Sequence, residues 1–189
     1  MCVAAALWPE RIAGLVTVDG YSIQDIARSL DPEAAVVERA YWYQYYFHSE
    51  RGRQGLEQNR DAICELLWRD WSPMWDFSHD VFARTAASFA NPDFVDVVLH
   101  SYRHRYGLVE GDPRYDELES RLALQPRITV PTVICAPGSD GLPEPDPADD
   151  TAFFTGPVER RIVGIAGHNV PQQCPAEFAD AVLAVLALQ

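Results

Sequence analysis

The sequence predicts an α/β protein whose parallel sheet is interrupted by a long all-helical insertion. Three observations carry that prediction. β-Branched apolar runs occur near the two ends of the chain, at residues 12–18, 130–136 and 160–165. Between the first and second of them, apolar residues recur at helical spacing with no further run of strand character. Helical segments also flank the outer runs, and strands that alternate with helices pair in parallel.

In chain order, residues 2–8 are Ala-rich and helical by propensity, and Pro9 ends the pattern. This apolar stretch opens with no Ser, Thr, Asp or Asn before it, so it reads as the inside of an element rather than as its capped start. Residues 12–18 form a buried strand closed by Asp19-Gly20. From Ile23 to about Arg121, Trp and Tyr crowd together, and Pro32, Pro73, Pro92 and Pro113 punctuate helices expected at 32–47, 52–68, 80–90 and 92–106. The strand signal returns at 130–136 and is followed by a loop rich in Pro and Asp. A third strand over 160–165 leads to Gly167-His168-Asn169, and an amphipathic helix closes the chain over 175–188. Three strands cannot bury both faces of a parallel sheet, so further strands are expected upstream. The expected division is 1–22 as core helix and strand, 23–125 as the insertion, and 126–189 as the C-terminal core.

Bulk properties narrow the function. The 189 residues are 48% hydrophobic and 23% charged, ordinary for one globular domain with a sizeable core. Lys+Arg 15 against Asp+Glu 28 gives a formal charge of −13, a field that repels nucleic acid and anionic lipid, so neither is expected as a partner. Cys2, Cys64, Cys135 and Cys174 are spread out with no CxxC pair, and are read as free thiols rather than a zinc or redox motif. The opening apolar stretch is too short to span a bilayer and lacks a basic leader, so a cytoplasmic protein is expected. No Gly-rich phosphate loop is present and no cofactor is expected.

The chemistry is expected in the loops after the last two strands, Gly138-Ser139-Asp140-Gly141 and Ala166-Gly167-His168-Asn169. In a parallel sheet, groups just past the carboxyl ends of neighbouring strands converge on one crevice. A carboxylate there would fix the tautomer of His168 and leave its other nitrogen as a general base. Each residue also has a plain structural reading, Asp140 as an Asx-turn residue and His168 as a histidine bonded to its own turn. Their order favours the catalytic reading, because acid and then histidine, with a nucleophile earlier, is one established triad order. His100 and His104 have the i, i+4 spacing of a metal pair but lack an accompanying Glu, and are read as surface residues; no metal is expected. Glu144, Asp146, Asp149 and Asp150 lack a calcium-loop pattern and are read as a solvated loop.

At this point the residues resemble a known family. Ala5-Ala6-Leu7-Trp8-Pro9-Glu10-Arg11-Ile12-Ala13-Gly14-Leu15-Val16 is similar to the helix after the nucleophile elbow, plus the next strand, of α/β-hydrolases. The segment from Val130 to Asp140 resembles that family's acid-bearing strand and loop, and Gly167-His168 its histidine loop. The resemblance implies the C-terminal part of an α/β-hydrolase fold with an inserted helical lid. The strands before the nucleophile, the oxyanion-hole loop and the elbow are absent, and no Gly-x-Ser-x-Gly or Gly-x-Asp-x-Gly occurs in the sequence.

The insertion points to the epoxide-hydrolase-like branch, whose cap offers two tyrosine hydroxyls to the epoxide oxygen. Trp42-Tyr43-Gln44-Tyr45-Tyr46-Phe47 resembles the segment of the first, placing it at Tyr43, and His100-Ser101-Tyr102-Arg103 that of the second, placing it at Tyr102. The implied activity is hydrolysis of a small apolar substrate, with Asp140 and His168 as catalytic residues and Tyr43 and Tyr102 as substrate-binding ones. A serine-type esterase and a haloalkane dehalogenase relative remain open, and the nucleophile would separate Ser-type from Asp-type chemistry. So does a truncated, non-catalytic binding protein, whose exposed sheet edge would favour pairing into a homodimer.

Overall fold

The computed structural model describes residues 1–143 and 152–188; the acidic group Glu144, Asp146, Asp149 and Asp150 lies outside the described residues. The chain divides into two compact units. Unit 1 comprises Met1–Gln24, Trp71–Trp75 and the described part of Arg114–Gln189; unit 2 comprises Asp25–Asp70 and Asp76–Pro113. The insertion was expected as one block over 23–125. Instead Trp71–Trp75 and the residues from Arg114 onward cluster with unit 1: the Trp71 carbonyl accepts the N–H groups of Gly141 and His168, and Arg121 donates from Nη2 to the Leu7 carbonyl at 3.2 Å.

Unit 1 is built on helix α1 (Cys2–Leu7) and strands β1 (Leu15–Val18), β2 (Thr132–Pro137) and β3 (Val158–Val163). Helices α7 (Asp116–Leu122), α8 (Val170–Gln173) and α9 (Pro175–Val185) complete it. The sheet has the order β1-β2-β3 and is parallel throughout, with Leu15 opposite Thr132 and Thr132 opposite Val158. β1 is shorter than residues 12–18 because Pro9–Arg11 forms a 3₁₀ turn and Ile12 to Gly14 only leads out of it.

All six residues of β2 are buried, as expected of a central strand covered on both faces. Its alternation divides the core. Ile134 packs with Cys2, Ala5, Leu15, Ile128 and Phe154 on one face, whereas Val133 and Cys135 pack with Val163, Val170, Cys174, Ala181 and Val185 on the other. Pro175 occupies the first turn of α9, where its missing N–H costs no hydrogen bond, and Ala181 and Val185 turn its apolar face onto β1 and β2.

Unit 2 contains α2 (Ala35–Ala40), α3 (Trp42–His48), α4 (Glu50–Trp71, whose last residue belongs to unit 1), α5 (His79–Ala86) and α6 (Phe94–His104). The expected helix over 32–47 is two helices, parted at Tyr41, which lies outside helical geometry at φ −90° and ψ 15°. α4 is likewise kinked at Asn59, at φ −131° and ψ 29°. Aromatic residues hold the unit together: Phe82, buried on α5, stands at 90° to the Trp68 ring at 5.5 Å and lies 6.1 Å from Phe89. Arg103 donates from Nε to the Phe47 carbonyl at 3.0 Å, joining α6 to the end of α3. No helix among the described residues is long and apolar enough to cross a membrane.

Candidate active site

Two strand ends in unit 1 bring the expected acid and histidine together. His168 Nδ1 lies 3.0 Å from Asp140 Oδ2, and the Asp140 side chain is only 3% exposed. The other carboxylate oxygen of Asp140, Oδ1, accepts the N–H of Leu142 at 2.8 Å. The structural and functional readings of Asp140 therefore coexist: one oxygen closes an Asx turn and thereby aims the other at the imidazole.

The loops that carry this pair are joined by two backbone hydrogen bonds and one from the Ser139 hydroxyl. Gly138 N–H donates to the Val163 carbonyl at 3.0 Å, Ser139 N–H to that of Ala166 at 2.9 Å, and Ser139 Oγ to that of Gly164 at 3.0 Å. Such closeness requires glycine, since a Cβ on Gly138 would stand 2.8 Å from the Gly164 Cα.

Four further residues complete the site, and the sequence reading passed over all of them. The Trp71 carbonyl accepts two N–H groups, from Gly141 in the acid loop and His168 in the histidine loop, each at 3.0 Å. One peptide thus ties both loops together. The Trp71 ring lies 5.3 Å from that of His168. Buried Ser72 accepts the backbone N–H of Asn169 at 3.3 Å and its side-chain amide at 3.2 Å. Gln173 accepts the Gly167 N–H at 2.8 Å and donates to the Ile165 carbonyl at 2.6 Å, closing the histidine loop on itself. No local pattern marks Trp71 or Ser72, because their roles depend on a fold-back across distant sequence.

Asp19 is the fourth, and a signal for it was available. It follows β1 as Asp140 follows β2, so the strand-end argument applied to Asp140 applies to it equally. Its Oδ2 lies 3.4 Å from the same His168 Nδ1. Burial pulls the His168 pKa down, but the hydrogen bonds and charges of Asp140 and Asp19 outweigh it and push it up to about 9. Donor atoms of Asp19, Asp140 and His168 lie within 4.8 Å of one another. With Nδ1 protonated, the three groups form a hydrogen-bonded cluster.

In unit 2, Tyr43 and Tyr102 are neighbours. Their rings meet edge to face at 5.4 Å, and their hydroxyls share a hydrogen bond. Burial raises the pKa of both phenols, which keeps them as protonated donors. Buried Gln44 donates to the Tyr43 hydroxyl at 3.1 Å and accepts from Tyr106 at 3.2 Å. The contact between the two hydroxyls raises the Tyr43 pKa and lowers that of Tyr102, so within the pair Tyr43 donates and Tyr102 accepts. The rings of His100 and His104 stack at 5.7 Å and join no three-residue ligand group among the described residues.

Parallel strands followed by loops that carry Asp140 and His168, with a helical unit between the first and second strands, are the C-terminal part of an α/β-hydrolase fold. Within that fold the chain is similar to a candidate epoxide hydrolase from Klebsiella pneumoniae, at 41% identity and a TM-score of 0.96, over 98% of this chain and 62% of that one. A candidate epoxide hydrolase from Pseudomonas aeruginosa matches at 16% identity and a TM-score of 0.71, over 97% of this chain and 59% of that one. A haloalkane dehalogenase variant from Bradyrhizobium elkanii matches at 16% identity and a TM-score of 0.69, over 98% of this chain and 62% of that one. The chain thus spans about three fifths of the length of each. No protein-family model and no curated protein matches it.

Proposed function

We propose that the chain is the acid- and histidine-bearing part of an epoxide-hydrolase-like enzyme that acts on a small apolar substrate. The observation that carries this reading is the 3.0 Å contact between His168 Nδ1 and Asp140. It leaves Nε2 as the nitrogen that can take a proton from water. In this chemistry an aspartate attacks an epoxide carbon, the carbon–oxygen bond breaks, and the alkoxide takes a proton from a phenol, the role proposed for Tyr43 and Tyr102. Water deprotonated by His168 then hydrolyses the ester, releasing a diol and restoring the carboxylate, and the proton taken up by His168 returns through solvent to the phenolate. The nucleophile is proposed to lie in sequence preceding these 189 residues, in keeping with the chain order nucleophile, acid, histidine. The 41% identity to the Klebsiella protein supports the epoxide branch over the esterase and dehalogenase alternatives.

The test is hydrolysis of a styrene-oxide-type epoxide, a p-nitrophenyl ester and a haloalkane, by the 189-residue chain and by a form extended upstream through the reading frame. Epoxide turnover by the extended form, lost in His168→Ala and lowered at least tenfold in Tyr43→Phe, is the expected result. Preferential turnover of the ester or the haloalkane would replace the epoxide reading, and no turnover of any of the three would reject the enzyme.

A further inference from the structure

We propose that His168 is held by two carboxylates, with Asp19 a second positioning residue that faces the same Nδ1–H as Asp140 and retains it when Asp140 is removed. The inference rests on the hydrolase reading for its catalytic consequence, but its structural content stands on unit 1 alone. Asp140 Oδ2 is 3.0 Å and Asp19 Oδ2 3.4 Å from the same nitrogen, so one N–H faces two acceptors from two strand ends. The two acids are not equivalent. Asp140 is 3% exposed and anchored by Leu142, whereas the Asp19 side chain is 27% exposed.

The backbone holds Asp19 where a reserve acid must stand. Asp19 has φ 60° and Gly20 φ 94°, two consecutive left-handed residues that turn the chain abruptly off β1. Asp and Asn tolerate that region better than other side chains do. The Asp19 N–H donates to the Cys135 carbonyl of β2 at 3.3 Å, and Thr17 Oγ1 donates to the Gly20 carbonyl at 2.7 Å. The turn is thereby fixed to the strand that leads to Asp140. Among the described residues, Asp19 and Asp140 are the charged groups that act on the imidazole, beside the uncharged Trp71 ring. With two carboxylates and one imidazolium, the cluster holds its proton more firmly than one acid would, and loss of either acid leaves a partner for the same nitrogen.

The test compares Asp19→Asn, Asp140→Asn and the double variant. Asparagine suits the left-handed backbone at Asp19, and at Asp140 it keeps an oxygen for the Leu142 N–H, so each variant preserves its turn. The first readout is the His168 imidazole followed by ¹⁵N NMR, which requires no substrate. Each single variant is expected to lower the His168 pKa by about 1 unit or more while keeping the Nδ1–H tautomer, and only the double variant loses that tautomer. The second readout is the pH–rate profile on whichever substrate the protein turns over. Asp19→Asn should move its acid limb to lower pH, and Asp140→Asn should retain activity within about tenfold, against a loss of roughly 10³–10⁴-fold in the double variant. An unchanged His168 pKa in Asp19→Asn, or an Asp140→Asn variant already equal to the double, would overturn the inference. A wild-type protein inactive on every substrate would instead reject the hydrolase reading and leave the NMR result to decide this one.

Discussion

His168 draws burial and charge in opposite directions, and charge wins. Its pKa, raised from 6.5 to about 9 by Asp140 and Asp19 against the pull of burial, has two consequences of definite sign. Because the raised value belongs to the folded state, its contribution to stability is fully present below pH 6.5 and is lost as pH rises through about 9. With the side chain 37% exposed, solvent screening limits that contribution to on the order of 1 kcal/mol. Urea denaturation at pH 6 and pH 9.5 should show the loss, and His168→Gln should abolish it. For catalysis the sign reverses, since a base must be neutral, and hydrolysis should accelerate as pH rises toward about 9. A rate already flat from pH 6 upward would contradict this. Gly167 gives a steric prediction: a Cβ there would lie 2.4 Å from the Ser72 Cα, so Gly167→Ala should cost about 1–3 kcal/mol in denaturant titrations and displace His168.

At the scale of elements, β2 and the short segment Trp71–Trp75 do different work. β2 is a buried partition between two apolar clusters, and its apolar composition made it legible in the sequence. Trp71–Trp75 has no such pattern, yet its first peptide accepts hydrogen bonds from both the Asp140 loop and the His168 loop. Ser72→Ala removes two hydrogen bonds to Asn169 and should cost about 1–2 kcal/mol of stability in chemical denaturation, with a larger proportional loss of activity because the histidine loop loses an anchor. In unit 2, Phe82 stands among Trp68, Phe77 and Phe89. Phe82→Ala should cost about 3–5 kcal/mol in thermal or urea melts. A loss under about 1 kcal/mol would mean that the aromatic cluster repacks around the vacancy.

At the scale of the whole molecule, the formal charge of −13 bears on partners more than on fold. A fluorescent DNA duplex at low salt should show no anisotropy change with this protein, and saturable binding would overturn the expectation drawn from the charge.

What the sequence by itself determined was whatever depends on local chemistry. The apolar runs read as strands pair in one parallel sheet, the Ala-rich start is helical, and Asp140 and His168 sit on the loops after two of those strands. These features were legible because periodicity, β-branching and turn residues act over a few positions. Tertiary structure alone decided the rest. It parted the helix expected over 32–47 at Tyr41, bonded Trp71 and Ser72 to the loops of Asp140 and His168, and brought Asp19 to the nitrogen that Asp140 already holds. The physical reason is sequence distance. Asp19 lies 121 residues before Asp140, and only the pairing of β1 with β2 turns that separation into two carboxylates on one imidazole.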